Sequence, residues 1–361
     1  MESIDMSHVD LMELVRGKVK GLKAYQVENL DEGIKLHANE NPYPPSPELL
    51  KKIFQRLDQL ELNRYPDPDC KNLKQAIANK TGALPEQIII GNGSDELIQY
   101  LMQVLCDEGD TIAFPDPTFA MYGITAQCLG LTPVNFPLND NWDFEAQTAL
   151  EALAKSKARL VFISYPNNPT GNCFSEQEIQ KLIEQFDGIV VLDEAYHDFA
   201  GKSFLKQMEK HNNLVVLRSL SKIGLAGLRI GYGIFPSVLA EQVNKVRLPY
   251  NSNTLSQWVA TELLNDFTHV QNQIHSIVEE RSRLMGELSK LPTIIAYPSD
   301  SNFILFQATN GGEKLFNELK TNGTLLRNLN AHPRLKNCLR VTIGTKQEND
   351  QFLDQLRKIS P

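Results

Sequence analysis

The sequence predicts an α/β protein in which helices flank a mostly parallel sheet, joined to a smaller α+β domain. From about residue 70, helical and strand-like runs alternate, and the strands at 159–164 and 188–192 are largely apolar, as in a sheet buried on both faces. After about residue 250, a long helical stretch is followed by short strands. We therefore predict a large domain over 46–250, a small C-terminal domain over 251–361, and an N-terminal arm, 1–45, that belongs to the small domain.

Composition narrows the class of protein. Of the 361 residues, 42% are hydrophobic and 22% charged, with a net charge of −8 and no basic block, so nucleic acid is not an expected partner. No apolar run is long enough for a membrane span, and the start lacks the basic-then-apolar pattern of a signal peptide. Five scattered cysteines without a C-x-x-C pair indicate reduced thiols in a cytoplasmic protein, rather than a disulfide framework or a zinc site.

Two proline-rich segments lie between residues 39 and 68. Residues 39–47 and 63–68 cannot form a helix or a central strand, because proline lacks a backbone N–H and restricts the residue before it. Rigid loops that carry polar and aromatic side chains such as Asn41 and Tyr65 suit ligand binding. A plain structural turn explains each segment at least as well.

A glycine-containing turn joins the next strand to a helix. Gly91 to Glu96 follows an apolar run, and Ser94 is a natural helix N-cap. Such a turn presents free backbone N–H groups and the positive end of the helix dipole, which suits a phosphate. Many turns of this kind bind nothing, and the segment is neither a P-loop nor a complete G-x-G-x-x-G, so nucleotide binding is not favoured.

Polar and aromatic residues follow three further strands. Phe119 and Tyr122 come after the strand at 111–114 and suit either stacking on a flat ring or ordinary core packing. Asn168 follows the next strand, and Asp193 and Tyr196 the one after it. A carboxylate at the carboxyl end of a buried strand lies where open α/β sheets bind ligands.

A metal site is not expected beside Asp193. Glu194 and His197 are metal-ligand types, but no second histidine lies at ligand spacing.

Lys222 is the strongest candidate for covalent chemistry. It follows the strand at 213–217, between Ser219 and Ser221 on one side and a glycine-spaced segment ending at Arg229 on the other. A lysine amine condenses with a carbonyl to form a Schiff base, and packed surroundings lower its pKa so that it also acts as a base. A surface lysine after a strand is the alternative for this stretch alone.

Together these strand ends match the needs of pyridoxal phosphate. The phosphate takes N–H groups, hydroxyls and an arginine, and the aldehyde takes a lysine. The pyridine nitrogen takes a carboxylate that keeps it protonated, so that the ring withdraws electrons from the substrate's α-carbon. The ring oxygen takes donors such as a phenol and an amide.

Motifs over nearly the whole chain resemble those of fold-type I, class-II-like pyridoxal-phosphate-dependent aminotransferases, and within them the histidinol-phosphate aminotransferase family. The family implies a large cofactor-binding domain with a mostly parallel sheet and a smaller α+β domain. The matching segments are, in order, 39–42 (NENP), 64–67 (RYPD), 93–96 (GSDE), 117–119 (PTF), 167–171 (NNPTG), 193–196 (DEAY), 219–222 (SLSK), 227–229 (GLR) and 339–342 (LRVT).

The resemblance implies a role for each matching residue around the cofactor. Lys222 carries the cofactor and moves the proton between the α-carbon and the cofactor, Asp193 pairs with the pyridine nitrogen, and Phe119 stacks on the ring. Asn168 and Tyr196 hold the ring oxygen. The residues implied around the phosphate are Ser94, Asp95, Ser219, Ser221 and Arg229, with Tyr65 reaching it from the neighbouring subunit of a homodimer.

The substrate contacts that the resemblance implies come from both ends of the chain. Arg340 takes the α-carboxylate of glutamate, and Arg340, Arg327 and Tyr25 together take the phosphate of histidinol phosphate; Asn41 and Asn168 complete the expected substrate contacts. One departure concerns Lys222 and Arg229, which are seven residues apart, where many aminotransferases have eight. The turn between them must therefore be tighter.

The implied reaction is transamination in histidine biosynthesis. L-histidinol phosphate and 2-oxoglutarate would give imidazole acetol phosphate and L-glutamate, in a ping-pong sequence through the pyridoxamine form. An aromatic or broad-specificity aminotransferase with the same catalytic set remains an alternative, and so does a threonine-phosphate decarboxylase, an enzyme class that uses a related scaffold. A ligand sensor of a transcription regulator is disfavoured, because no basic recognition helix precedes residue 39.

Overall fold

The computed structural model describes residues 10–22, 28 and 32–359. Its strands form two sheets, one of seven strands and one of five. In chain order the strands are β1 (Ile34–Leu36), β2 (Ile88–Asn92), β3 (Thr111–Asp116), β4 (Thr132–Pro137), β5 (Leu160–Ser164), β6 (Ile189–Asp193), β7 (Leu214–Ser219), β8 (Ile230–Ile234), β9 (Ile294–Ala296), β10 (Phe303–Ala308), β11 (Thr324–Asn328) and β12 (Cys338–Thr342).

The seven-stranded sheet is mostly parallel, as the sequence predicts. Its order is β2-β8-β7-β6-β5-β3-β4, and β8 alone runs against its neighbours β2 and β7. The strands β5 and β7 are buried along their whole length, which explains their apolar sequences. Their parallel direction brings the carboxyl ends of β3, β5, β6 and β7 to one edge of the sheet.

The five-stranded sheet combines both ends of the chain. Its order is β1-β11-β12-β10-β9, with β1 parallel to β11 and the other pairs antiparallel. The N-terminal strand therefore lies in the same sheet as the C-terminal strands, as expected of an arm that belongs to the small domain. The domain boundaries at residues 45 and 250 stay predictions.

Helices cover both sheets, and none in the described ranges is long and apolar enough to cross a membrane. They are α1 (Leu11–Leu14), α2 (Gly17–Lys20), α3 (Pro47–Arg56), α4 (Lys71–Thr81), α5 (Ser94–Leu105), α6 (Met121–Leu129), α7 (Ala146–Ser156), α8 (Glu176–Gln185), α9 (His197–Ala200), α10 (Ser237–Val246), α11 (Thr254–Asn265), α12 (Thr268–Leu288), α13 (Gly312–Thr321) and α14 (Lys346–Ile359).

Two details of the helix ends differ from the sequence-based prediction. The N-cap of α5 is Gly93, with φ +83°, and Ser94 is the first helical residue. Ser175 caps α8 without a side-chain hydrogen bond, and Glu178 instead accepts from the backbone N–H of Ala146. The spacing of Ser175 and Glu178, three residues apart at the start of a helix, predicts a capping box. That prediction is wrong, because a tertiary contact to the neighbouring helix α7 takes the carboxylate.

Candidate active site

A cavity of about 270 Å³ lies at the carboxyl edge of the seven-stranded sheet, with β11 and β12 of the other sheet contributing to its wall. Side chains from several distant segments of the chain meet there. Most of the predicted site residues line this cavity: Ser94, Asp95, Phe119, Asn168, Asp193, Tyr196, Ser219, Ser221, Lys222, Arg229, Arg327 and Arg340.

One part of the cavity is built to hold an anion. The N-terminus of α5 begins at Ser94, where the first N–H groups of a helix lack intrahelical partners. The Arg229 guanidinium lies beside it, with Nη2 3.2 Å from Asp95 Oδ2 and Nη1 3.5 Å from Ser221 Oγ. A side chain at Gly93 would clash with this guanidinium, so the glycine keeps the space open.

The seven-residue spacing between Lys222 and Arg229 is absorbed by tight backbone turns. A 3-10 turn over Leu220–Ile223 ends at Gly224, with φ +116°, and a second one over Ala226–Leu228 follows. Arg229 itself adopts a left-handed conformation, with φ +54°. These turns return the guanidinium to the cavity despite the shorter segment.

Asp193 ends β6 inside the cavity wall and is only 3% exposed. Its Oδ2 accepts a hydrogen bond of 2.8 Å from the Tyr122 hydroxyl, and its Oδ1 accepts one of 3.2 Å from the backbone N–H of Ala195. Burial raises the pKa of this carboxyl to about 6, although both hydrogen bonds act in the opposite direction. The carboxylate is therefore ionised at neutral pH but poorly compensated.

The Tyr196 hydroxyl is the meeting point of two amide groups. The side-chain nitrogens of Asn39 and Asn168 approach it at 3.0 and 3.4 Å as donors. Because these donors occupy the oxygen's acceptor positions, the phenol's own hydrogen is left to donate to another oxygen in the cavity. Such a donor suits the ring oxygen of a bound aromatic cofactor.

Asn39 is a cavity residue to which the sequence analysis assigned no role. It is 1% exposed, adopts φ +55°, and exchanges hydrogen bonds with Thr342 of β12. Its backbone carbonyl accepts a further bond from Asn302. The sequence signal for Asn39 is its place in the NENP segment, which also contains the predicted contact Asn41.

Lys222 follows β7 and extends its amine into the cavity. Its Nζ donates to the backbone carbonyl of Ala38 at 3.3 Å and lies 5.9 Å from the centre of the Tyr196 ring. The amine, the phenol and the Asp193 carboxylate thus share one cavity. The predicted assembly of these groups at adjacent strand ends matches the geometry.

A second cationic region comes from the five-stranded sheet. Arg327 and Arg340 lie directly across from each other on β11 and β12, and both line the cavity. Arg340 is 8% exposed and donates to the side-chain oxygen of Asn168 and, at 2.8 Å, to the backbone carbonyl of His37. Burial lowers the pKa of His37, and the two arginines act in the same direction.

Three predicted residues are not placed in the cavity wall. Asn41 does not line the cavity in the described chain; its amide donates to Gln273 Oε1 at 2.9 Å and its carbonyl oxygen accepts from the Tyr43 N–H. Tyr65 is 80% exposed and stacks on Tyr250, with ring centres 4.4 Å apart. Tyr25 lies outside the described residues.

Known proteins are similar to this chain over nearly its whole length. Residues 31–356 match the model of the family described as aminotransferase class I and II. The chain is 42% identical over 347 residues to histidinol-phosphate aminotransferase 2 of Nitrosococcus oceani, covering 95% of this chain and 96% of the relative. It is 37% identical over 347 residues to the histidinol-phosphate aminotransferase of Aquifex aeolicus, covering 96% and 98%.

Solved structures show the same fold. The histidinol-phosphate aminotransferase of Clostridium acetobutylicum superposes with a TM-score of 0.83 at 25% identity, covering 91% of this chain and 99% of that one. That of Sinorhizobium meliloti, solved in complex with pyridoxal-5'-phosphate, has a TM-score of 0.85 at 23% identity, covering 98% and 100%.

Proposed function

We propose that this chain, which belongs to the class I and II aminotransferase family, transfers the amino group of L-histidinol phosphate to 2-oxoglutarate. The products would be imidazole acetol phosphate and L-glutamate, as a step of histidine biosynthesis. The observation that carries the proposal is the pair Arg327 and Arg340, which adds cations to a cavity that already holds Arg229. One anion site suits the cofactor phosphate, and the second suits an anionic substrate.

The family depends on pyridoxal 5'-phosphate, and the cavity residues fit that group. The α5 N-terminus, Ser219, Ser221 and Arg229 would hold the phosphate, and Phe119 would face the ring. Asp193 would pair with the pyridine nitrogen. When bound, the cofactor supplies an aldehyde and a ring that withdraws electrons from the substrate's α-carbon.

The chain's own groups would then move protons. The Lys222 amine would hold the cofactor's aldehyde and, when free, would take and return the substrate's α-proton. Its hydrogen bond to the Ala38 carbonyl places Nζ at the cavity wall. Tyr196, whose oxygen accepts from Asn39 and Asn168, would donate its hydrogen to the ring oxygen.

Substrate selection would fall to the second cationic region. Guanidinium groups pair bidentately with both carboxylates and phosphates, so Arg327 and Arg340 can accept histidinol phosphate in one half-reaction and a dicarboxylate in the other. Asn168 orients Arg340 through its side-chain oxygen. Tyr25, outside the described residues, and Asn41 remain proposed substrate contacts; Asn41 must leave Gln273 to reach the cavity.

A homodimer would complete the site. Tyr65 is exposed in the single chain, together with the apolar side chains of Phe54 and Leu62, at 72% and 75% exposure. We place these residues in the interface with a second copy, where Tyr65 reaches the neighbouring cofactor phosphate. Sedimentation should show a dimer. Tyr65→Phe should weaken cofactor binding but leave the dimer intact. A monomeric active enzyme would contradict this proposal.

The proposed location is the cytoplasm. All five cysteines, Cys70, Cys106, Cys128, Cys173 and Cys338, are free thiols. Free thiols suit a reducing compartment.

A single-turnover titration of the cofactor-loaded enzyme tests the substrate. L-histidinol phosphate, histidinol and phenylalanine are compared as amine donors by the loss of the cofactor's visible absorbance. We expect rapid conversion with histidinol phosphate and a large penalty without its phosphate, because a buried charge left without its partner costs about 2–5 kcal/mol. Equal conversion with phenylalanine would indicate an aromatic aminotransferase, and release of carbon dioxide without an oxoacid would indicate a decarboxylase.

A further inference from the structure

Behind Asp193 lies a tyrosine that the proposed mechanism does not use. Tyr122, in the first turn of α6, is 0% exposed and does not line the cavity wall in the described chain. Its hydroxyl lies 2.8 Å from Asp193 Oδ2. Its sequence context does not distinguish Tyr122 from an ordinary core residue.

The Tyr122 ring is packed against three other aromatic rings. It stacks on Phe162 of β5, with ring centres 4.9 Å apart and planes at 15°. It also contacts Phe119 in a T-shaped pair, at 5.5 Å and 87°, and the tilted ring of Phe114 at 6.0 Å. Tyr122 therefore contacts both side chains assigned to the cofactor ring, Asp193 at the nitrogen and Phe119 at the face.

The direction of the Tyr122–Asp193 hydrogen bond follows from burial. Burial, with Asp193 nearby, raises the pKa of the Tyr122 phenol well above its ordinary value. The hydroxyl therefore stays protonated and is the donor of the hydrogen bond. Ser164 and Tyr196 are the other polar groups that influence this phenol. The charged groups that face the Asp193 carboxylate are Asp95, which disfavours its ionisation, and Lys222, which favours it.

We propose that Tyr122 is a positioning residue for the cofactor: it holds the Asp193 carboxylate ionised and aimed at the ring nitrogen. The hydroxyl fixes Oδ2, while the Ala195 N–H fixes Oδ1, so the carboxylate plane cannot rotate freely. This inference rests on the role proposed above for Asp193. Tyr122 would not contact the substrate. By keeping Asp193 ionised, it would strengthen the withdrawal of electrons by the cofactor ring.

The experiment uses the full-length enzyme and measures a binding constant rather than turnover. Tyr122→Phe, Asp193→Asn and the double variant are dialysed to equilibrium against pyridoxal 5'-phosphate at a series of pH values. The matched control is Tyr232→Phe, because Tyr232 is another fully buried tyrosine, on β8, whose charged neighbours are Arg218, Asp198 and Glu194. Thermal unfolding is recorded for each variant.

We expect Tyr122→Phe to weaken cofactor binding about tenfold near neutral pH, the range of a charge-assisted hydrogen bond. Its binding profile should also move to higher pH, since the carboxyl loses a donor that favours ionisation. In the Asp193→Asn background the same change should have little further effect. Tyr232→Phe should bind the cofactor like the wild type.

Different results overturn different statements. Unchanged cofactor affinity in Asp193→Asn would overturn the role of Asp193 itself. A weakened Asp193→Asn together with a wild-type profile for Tyr122→Phe would overturn the role of Tyr122 alone.

If Tyr122→Phe does not fold, a second variant tests the same proposal. Replacing Tyr122 alone by 3-fluorotyrosine keeps the ring and hydroxyl but makes the hydroxyl a stronger donor. The binding profile should then move to lower pH, and an unmoved profile would contradict the proposal.

Discussion

Two adjacent acids at the end of β6 have opposite environments. Glu194 is 0% exposed, and its Oε2 accepts from Arg218 Nε and Nη2, at 3.1 and 2.9 Å, and from Ser203 Oγ at 2.8 Å. Its Oε1 accepts from the Phe204 N–H at 2.7 Å. Asp193, equally buried, receives its hydrogen bonds from the neutral donors Tyr122 and Ala195.

The difference separates an acid that has a cation beside it from the acid that we propose pairs with the cofactor. The charge of Glu194 is neutralised within the chain, so this ion pair is complete without a ligand. Asp193 keeps a charge that burial opposes, as its raised pKa of about 6 shows. Buried charges that the protein leaves uncompensated mark places where a ligand supplies the missing partner.

The largest expected effect comes from breaking the complete pair. Arg218→Met leaves Glu194 buried without its cation and should lower the free energy of unfolding by about 3–5 kcal/mol, measured by urea denaturation. The double variant Arg218→Met with Glu194→Leu should recover much of this loss, because it leaves no buried charge behind. A single variant as stable as the wild type would contradict the distinction between the two acids.

The next effect concerns activity. Asp193→Asn keeps the shape of the side chain but removes its charge, and kcat/KM should fall by about 10²–10³, as when an electrostatic partner of the reacting group is lost. Ser203→Ala, which touches the network of Glu194 and Arg218, is the control and should retain nearly full kcat/KM in its folded fraction. Equal losses of kcat/KM in Asp193→Asn and Ser203→Ala would contradict the contrast between Asp193 and Glu194.

The same substitution should stabilise the protein without cofactor. The folded pKa of Asp193, about 6, lies above the ordinary value of 3.8, so its contribution to stability is present at low pH and is lost as pH rises through about 6. Without cofactor, Asp193→Asn should therefore exceed the wild type by about 1–3 kcal/mol at pH 7.5. The gap should close near pH 4; a gap that grows at low pH would contradict this sign.

The smallest effect should come from an exposed ion pair. Lys181 Nζ lies 2.6 Å from Glu178 Oε1 on α8, closer than Arg218 lies to Glu194, but about half of the lysine side chain is exposed. Lys181→Met should change the free energy of unfolding by no more than about 1 kcal/mol, measured by the same urea titration. A loss as large as that of Arg218→Met would mean that distance rather than burial decides the energy.

Sequence reasoning predicted the fold and most of the site because both follow from local patterns. Apolar runs predicted the buried strands, and parallel strands place their carboxyl ends together, so Lys222, Asp193 and Asn168 meet in one cavity. The resemblance to a known family supplied Arg327 and Arg340. Residues with a distinctive position just after a strand were therefore found.

The residues that sequence reasoning missed act through contacts between distant segments. Asn39 reaches Tyr196, and Tyr122 reaches Asp193, across 157 and 71 positions of the chain. Nothing within a short window distinguishes such a tyrosine from core, or Asn39 from Asn41. The failed capping box at Ser175 has the same cause, since Glu178 is taken by another helix.

The pairing of β1 with β11 also has a consequence for how the chain folds while it is being synthesised. Ile34, near the start of the chain, is paired with Thr324, so this part of the five-stranded sheet cannot form until nearly the whole chain has been synthesised. Contacts of such long sequence separation slow folding. Arg327 and Arg340, the arginines proposed to bind the substrate, belong to the same sheet. The nascent chain can thus form the strands that carry the proposed cofactor contacts well before it can form those that carry the proposed substrate contacts.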